Sequence, residues 1–338
     1  MKTSELSRVL ELVRPGLARK DLLEQATSIV FKNDRAWTFN DEVAVSVSMR
    51  TGVTGAVFAE PLYKFLGKLP QDGDIQIEDV EGEFRFSCGR NRAGIRKDEE
   101  IRLPVDEEIK DPQEWMDLPE DFLKALDRIL FSCAQGGYRP ILACVHITPE
   151  FVESSDGFRL TRASCRFDLA GHNDLCVVGR NMERLSDYHP TKFGISGNWI
   201  QFLNEEGVRY SVRIVDGDYP DLGKFITIED GQNIELPRKE LEKALEWASV
   251  VADDSIRYRQ KVDLSIQKGK MVVKGEGPDG WAEETIRMKY SGPPLRFQAN
   301  PSLLKEMLIL GGKVIVGKNS LKIESDEFVH VVSLEDDE

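Results

Sequence analysis

LRFQANPSLLKEMLIL, residues 295–310, is the stretch whose reading decides how the chain is organised. Leu295 and Phe297 alternate with polar neighbours as in a short strand. Asn300-Pro301-Ser302 then leads into an apolar helix carrying Leu303, Leu304, Met307, Leu308 and Leu310. Two weaker copies precede it. Gly55-Ala56-Val57-Phe58 enters residues 60–66, and Leu175-Cys176-Val177-Val178 enters residues 181–185, so a strand-to-helix junction recurs at intervals of roughly 120 residues. A repeat of that length is a domain rather than a solenoid unit.

The flanks repeat as well. An amphipathic helix is predicted ahead of each junction, at residues 5–13, 120–133 and 238–250, with apolar spacing such as Leu6, Val9, Leu10 and Val13. A pair of alternating strands follows each junction: 74–77 with 83–86, 192–195 with 199–202, and 313–316 with 320–323. The 338 residues therefore divide into three domains of roughly 113 residues, with boundaries expected at 1–112, 113–228 and 229–338. Two stretches read as linkers: the charged, proline-bearing residues 102–112, and residues 227–235. With two helices and several short strands per repeat, the fold class is α+β with largely antiparallel sheets. One sheet face packs on the helices, and outer strand edges are left to pair with the next domain or the next subunit.

Composition narrows the function. The chain is 41% hydrophobic and 31% charged, and it holds no apolar run near the roughly 20 residues needed to cross a bilayer. Residues 1–4 lead directly into a helix with no h-region or cleavage site, so a cytoplasmic location is expected. Five cysteines, Cys88, Cys133, Cys144, Cys165 and Cys176, lack CxxC spacing and suit buried free thiols. Cys144 and His146 could share a strand face, but no further ligands lie nearby, so neither a metal nor another cofactor is expected. His146, His172, His189 and His330 are scattered, and there is no nucleophile elbow or glycine-rich phosphate loop; no catalytic residue is assigned.

The net charge of −14, from 45 basic and 59 acidic residues, would ordinarily oppose a nucleic-acid partner. Its distribution qualifies that. Acids gather in loops, in Asp253-Asp254 and in the tail Glu335-Asp336-Asp337-Glu338, while the helical segments carry Arg14, Arg19, Lys20, Lys64, Lys124, Arg128, Arg184 and Lys243. Solvated helix faces would look the same.

The run Ser155-Asp156-Gly157-Phe158-Arg159-Leu160, the later Val215-Asp216-Gly217-Asp218-Tyr219-Pro220-Asp221, the segment Gly89-Arg90-Asn91-Arg92 and the threefold repeat together resemble the bacterial DNA polymerase III β subunit family, the DNA sliding clamps. The resemblance spans essentially the whole chain, and residues 156–160 carry its most specific match. It implies the DNA-clamp fold, closed as a head-to-tail homodimeric ring whose inner helices face encircled duplex DNA. It implies a non-catalytic processivity factor with DNA polymerase, clamp loader and other motif-bearing proteins as partners. The cations named above would then touch phosphates without reading sequence.

By the same resemblance, a partner-peptide groove is expected from Leu142, Ser155, Gly157, Phe158, Arg159, Leu160, Pro220, Lys224, Phe225, Asn300, Leu303, Ser320, Val331 and Val332. The dimer interface would join Arg90, Arg92, Ala93 and Ile95 to Val250 and Val251, with Ile95 facing the two valines and the small Ala93 weakening the contact. Arg159 is expected to hold a strand edge by hydrogen bonds. The acidic tail would repel acidic peptides and favour neutral or basic ones. A clamp-fold paralogue serving as a protein-interaction scaffold outside bulk replication stays open as the alternative.

Overall fold

The computed structural model describes residues 1–20, 23–252 and 260–334. Asp253-Asp254 and the tail 335–338 lie outside the described residues. The chain condenses into two compact units, one from residues 1–123 and 168–216, the other from 124–167 and 217–338. All strand pairings within each unit are antiparallel among the described residues.

The first unit is built on an eleven-stranded sheet. Its centre is where two distant segments meet: Val43–Ser48 pairs with Arg209–Arg213, placing Tyr210 opposite Val45. A strand edge left open by the first repeat is thereby closed by the second, as exposed N–H and C=O groups require. The helix Thr3–Val13 turns Leu6, Leu10 and Val13 onto this sheet, all fully buried. A helix this short is held by its apolar face rather than by propensity.

Residues 102–112, read from sequence as a linker, are part of the core. Proline and charge make the stretch irregular, but Leu103, Val105 and Ile109 pack with Val30, Phe39, Ala44, Ala56 and Trp199. Gln25 anchors the approach by accepting from the Leu103 N–H at 3.2 Å, and Gln201 donates to the Lys110 carbonyl at 2.6 Å. A Cβ on Gly194 would come within 2.6 Å of the Pro112 ring, so glycine is needed for the strap to lie this close.

In the second unit, the strand Cys144–Ile147 begins a run that continues through Phe151–Ser155, Arg159–Ser164, Phe328–Ser333, Ser320–Glu324 and Lys313–Val316 to Gln232–Ile234. The joint between distant segments is Arg159–Ser164 against Phe328–Ser333, with Leu160 opposite Val331 and Thr161 opposite His330. Gln232–Ile234 lies inside the second expected linker; it is a strand because Lys313–Val316 offers it an edge. A separate four-stranded sheet carries the helix Arg238–Ser249, and Gly275 permits close approach, since a Cβ there would stand 2.0 Å from the Ala248 carbonyl.

The junction at 295–310 forms as read: strand Leu295–Ala299, then helix Pro301–Ile309. Asn300 is the N-cap, its side-chain oxygen accepting from the Ser302 and Leu303 N–H groups at 3.0 and 3.1 Å, with Pro301 in the first turn. The middle copy differs. Residues 181–185 form no α-helix but separate two 3-10 turns, Gly179–Asn181 and Leu185–Tyr188. Only Met182 and Leu185 are apolar there, both are already buried, and the left-handed His189 before Pro190 stops further turns.

Trp199 is buried among Phe39 and the strap residues, so replacing it leaves a cavity in the core. Trp199→Ala is expected to cost about 3–5 kcal/mol, measured as a lowered urea midpoint of the first unit's transition. A loss under about 1 kcal/mol would show that the strap is not integral to the core.

Candidate partner-binding groove

A hairpin turn builds one wall of a cavity in the second unit. Phe151–Ser155 and Arg159–Ser164 are joined through Asp156, Gly157 and Phe158, and Gly157 takes φ +90°, which side chains disfavour. Asp156 Oδ1 accepts from both the Phe158 and Arg159 N–H groups at 3.0 Å, and Ser155 Oγ donates to the Arg159 carbonyl at 2.7 Å. The Ser333 N–H donates to the Phe158 carbonyl at 2.9 Å and ties the last strand to the turn. The sequence selects this turn because aspartate and glycine supply the side-chain acceptor and the unusual φ that it needs.

Leu160, Leu222 and Val331 form a buried apolar floor, backed by Tyr219, Ile226 and Val329. Above it opens a cavity of about 510 Å³. Two phenyl rings stand at its rim with unusual exposure for phenylalanine, Phe158 at 45% and Phe225 at 52%. Of the residues expected in a groove, Leu142, Ser155, Gly157, Phe158, Arg159, Leu160, Pro220, Lys224, Phe225, Ser320 and Val331 line this one cavity.

Asn300, Leu303 and Val332 do not line it. Asn300 is committed to its helix cap; Leu303 and Val332 are buried in the core, Val332 because strand alternation turns it opposite to Val331. Sequence reasoning missed Arg139, Leu222, Thr227, Asn319 and Ser333 as lining residues. Leu222 had a signal in the apolar spacing after Pro220; the others are polar loop or strand-end residues with none.

Arg159 lines the cavity, but its side chain is buried and already engaged within the chain. Its guanidinium is turned inward and pairs with Asp156 and Glu306, donates to the Phe131 carbonyl and lies over the Phe131 ring. The cations at the mouth are Arg139 and Lys224, both exposed, and none of the lining residues is acidic.

Behind the floor, His330 is fully buried, with Nδ1 2.8 Å from Thr161 Oγ1. Burial, reinforced by the Arg159 charge, pushes its pKa down to about 3, so the ring is neutral at neutral pH. His146 is held by Glu153, with Nδ1 2.8 Å from Oε1, and stacks on Tyr219 at 4.6 Å. Cys144 shares that strand as a buried free thiol, as do the other four cysteines elsewhere. Among the described residues, no group of three or more His, Cys, Asp or Glu side chains could hold a metal ion, and no helix is long and apolar enough to cross a membrane.

The expected DNA-facing cations divide by partner. Arg14 pairs with Glu11, Lys64 with Glu60, Arg184 with Asp187, and Lys124 and Arg128 share Glu327. Lys64 holds the Glu60 carboxyl below its ordinary pKa, and Lys124 with Arg128 does the same to Glu327. Arg19, Lys20 and Lys243 are exposed and have no ion pair among the described residues.

Of the residues expected at a dimer interface, Arg90 and Arg92 are exposed and Val250 is 72% exposed, with Val251 partly buried. Ile95, expected to face outward, is only 9% exposed. It stands opposite Phe84, as Ala93 stands opposite Phe86, so strand alternation places both on the inward face of their sheet.

This architecture is the clamp fold. The structure of the DNA polymerase III β subunit from Pseudomonas aeruginosa matches 99% of each chain with a TM-score of 0.85 at 18% identity. That of the sliding clamp from Bartonella birtlesii bound to griselimycin matches 99% of this chain and 98% of that one, with a TM-score of 0.87 at 18% identity. In sequence the chain is similar to the β sliding clamp of Synechococcus elongatus, 27% identical over 268 residues covering 74% of this chain and 70% of that protein. It is also similar to the β sliding clamp of Bacillus subtilis, 25% identical over 260 residues covering 71% and 67%. No family model matches the chain. In sequence and in fold it resembles the bacterial DNA polymerase III β sliding clamps.

Because the folded His330 pKa lies below the ordinary value of 6.5, the unfolded chain takes up the proton first on acidification. The second unit should therefore lose stability as pH falls from about 6.5 toward 3, at up to one proton's slope. In His330→Gln, which cannot titrate, that part of the slope should vanish from urea midpoints followed between about pH 7 and 4.5. Parallel losses in the two chains would exclude His330 as the group responsible.

Proposed function

We propose that this chain is a sliding clamp: two copies close head to tail into a ring around duplex DNA, and the groove beneath Phe158 and Phe225 tethers DNA polymerase and other motif-bearing proteins. The single observation that carries the reading is the apolar cavity over Leu160, Leu222 and Val331, set in a clamp fold and rimmed by two exposed phenyl rings. A clamp makes and breaks no bond. Topology replaces affinity, since a ring cannot leave duplex sideways and its phosphate contacts can stay weak and blind to sequence. Tethering then raises the local concentration of template seen by the polymerase. A clamp loader would open the ring, and the work would take place in the cytoplasm.

Three domains, 1–112, 113–228 and 229–338, would supply half of the ring. Ring closure is supported by an open edge. The strand Asn91–Asp98 pairs along its length with Glu83–Cys88, but on its other side it meets Gly55–Phe58 only at Lys97 and Asp98. Residues 90–95 of one copy would therefore meet the region of Val250 and Val251 in the other through the strand edge, with Ile95 buried behind it. Only monomer in sedimentation at tens of micromolar, an order of magnitude set by the affinity scale, would count heavily against the ring.

A glutamine-leucine-phenylalanine type peptide should bind the groove, each buried anchor contributing roughly 1.5–3 kcal/mol. Leu160→Asp should abolish that binding in a fluorescence titration, with circular dichroism confirming the fold. Equal binding by both chains would move the site elsewhere.

On DNA, Arg19→Glu with Lys20→Glu should shorten retention of the loaded ring on circular duplex equally for all sequences and flatten its salt dependence. Arg14, Lys64, Lys124, Arg128, Arg184 and Lys243 would act in the same way, but five of these six exchange a carboxylate partner for phosphate. Arg19 and Lys20 therefore carry the larger share. Unchanged retention would reduce them to solubilising residues.

A further inference from the structure

Three charged side chains meet where the groove turn rests on the helix Pro301–Ile309, and of these only Arg159 lines the cavity. Its guanidinium pairs with Asp156 at 3.0 Å and with Glu306. The Arg159 and Asp156 side chains are nearly inaccessible, 4% and 3% exposed. Asp156 Oδ2 accepts from Arg159 Nε, while its Oδ1 accepts from the Phe158 and Arg159 N–H groups that shape the turn. One carboxylate therefore fixes the turn with one oxygen and the guanidinium with the other. A movement of the guanidinium passes directly to the backbone that presents Phe158 at the rim.

Glu306 lies outside the cavity lining, yet it holds another side of Arg159. The helix that carries it is anchored along its length. Asn300 caps its start, Leu303, Leu304, Met307 and Leu308 are buried, and Arg238 donates to the carbonyls of Leu308 and Leu310 at its end. So anchored a support limits where the Glu306 carboxylate can stand. A guanidinium is planar, with donors in fixed directions, so acceptors on two separate segments define its orientation. The Phe131 carbonyl and ring hold it from a third direction.

We propose that Glu306 is a positioning residue of the partner groove: it touches no partner, and through Arg159 and Asp156 it holds the turn 156–158 in the form that binds. This deepens the docking role proposed above and rests on it. Burying opposite charges yields little net stability because both lose water, so the contribution of this network lies in selecting one conformation. Without the Glu306 charge the guanidinium keeps Asp156 but loses a constraint on its other side, and turn conformations that do not bind become populated. Affinity then falls with the fraction of chains left in the binding form. The expected loss is a factor of about three to ten, as for residues that share one network. Any displacement of the helix Pro301–Ile309 would reach the groove through the same contacts.

The test titrates an uncharged glutamine-leucine-phenylalanine type peptide against four full-length chains: natural, Glu306→Gln, Arg159→Gln and the double variant, with circular dichroism confirming each fold. Glu306→Gln should bind about three- to ten-fold more weakly than the natural chain. In the Arg159→Gln background the same change should make no further difference, because Glu306 acts only through that guanidinium. Equal affinity of the natural and Glu306→Gln chains overturns the proposal, and so does an equal loss in both backgrounds. Hydrogen exchange in the same chains without any peptide, read by NMR, gives a second measurement. The Phe158 and Arg159 amides should exchange about three- to ten-fold faster in Glu306→Gln. Amides of the ladder between Lys313–Val316 and Ser320–Glu324 should keep their rates. Unchanged exchange at the turn, or acceleration shared equally by that ladder, overturns the proposal. Failure of the natural chain to bind the peptide would count instead against the docking role of the groove, with the exchange rates still deciding whether Glu306 holds the turn.

Discussion

The structure depends on closing strand edges. Each sheet in this chain begins with segments that cannot satisfy their own outer N–H and C=O groups, and an edge left open in water invites pairing with whatever arrives. Two joints resolve this between residues far apart in sequence. Val43–Ser48 takes Arg209–Arg213, and Arg159–Ser164 takes Phe328–Ser333. Both are antiparallel, so their registers are enforced by alternation: a slip of one residue would send Val45 or Val331 to the wrong face.

The second joint also makes the groove. Leu160 and Val331 are cross-strand partners within it, and they form the floor on which Leu222 rests. The Asp156-Gly157 turn closes the hairpin above that floor and holds Phe158 outward while Arg159 folds inward to Asp156 and Glu306. Cavity and scaffold are therefore the same interaction seen from two sides. His330 sits directly behind, opposite Thr161 in the same ladder, where burial keeps its ring neutral.

Charge follows a different logic. The chain is strongly acidic, and most of the helical cations named from its sequence are held by carboxylates within the same unit, Lys64 by Glu60 and the pair Lys124 and Arg128 by Glu327. Exposed pairs of this kind contribute little stability, but they lower the positive field that those cations present to a distant anion. Of the cations named for DNA, Arg19, Lys20 and Lys243 are exposed and have no such partner among the described residues.

The sequence by itself determined the local events. Asn300 ahead of Pro301 and a run of leucines specifies a capped helix start because the cap, the fixed φ and the apolar spacing act within a few residues. The three alternating hairpins and the Asp156-Gly157 turn were legible for the same reason. Most of the residues that line the cavity were named from the sequence as well, through the resemblance carried by residues 155–160 and 215–221. Only the tertiary structure decided whatever depends on a distant partner. Residues 102–112 look like a charged linker until Trp199 and Phe39 are seen to bury Leu103, Val105 and Ile109. Residues 232–234 become a strand because Lys313–Val316 presents an edge to them, and 181–185 fail as a helix because their two apolar side chains find burial without one. Ile95 turns inward toward Phe84, and the Arg159 guanidinium is engaged by Glu306, a residue almost 150 positions away whose charge no local pattern could have assigned to it.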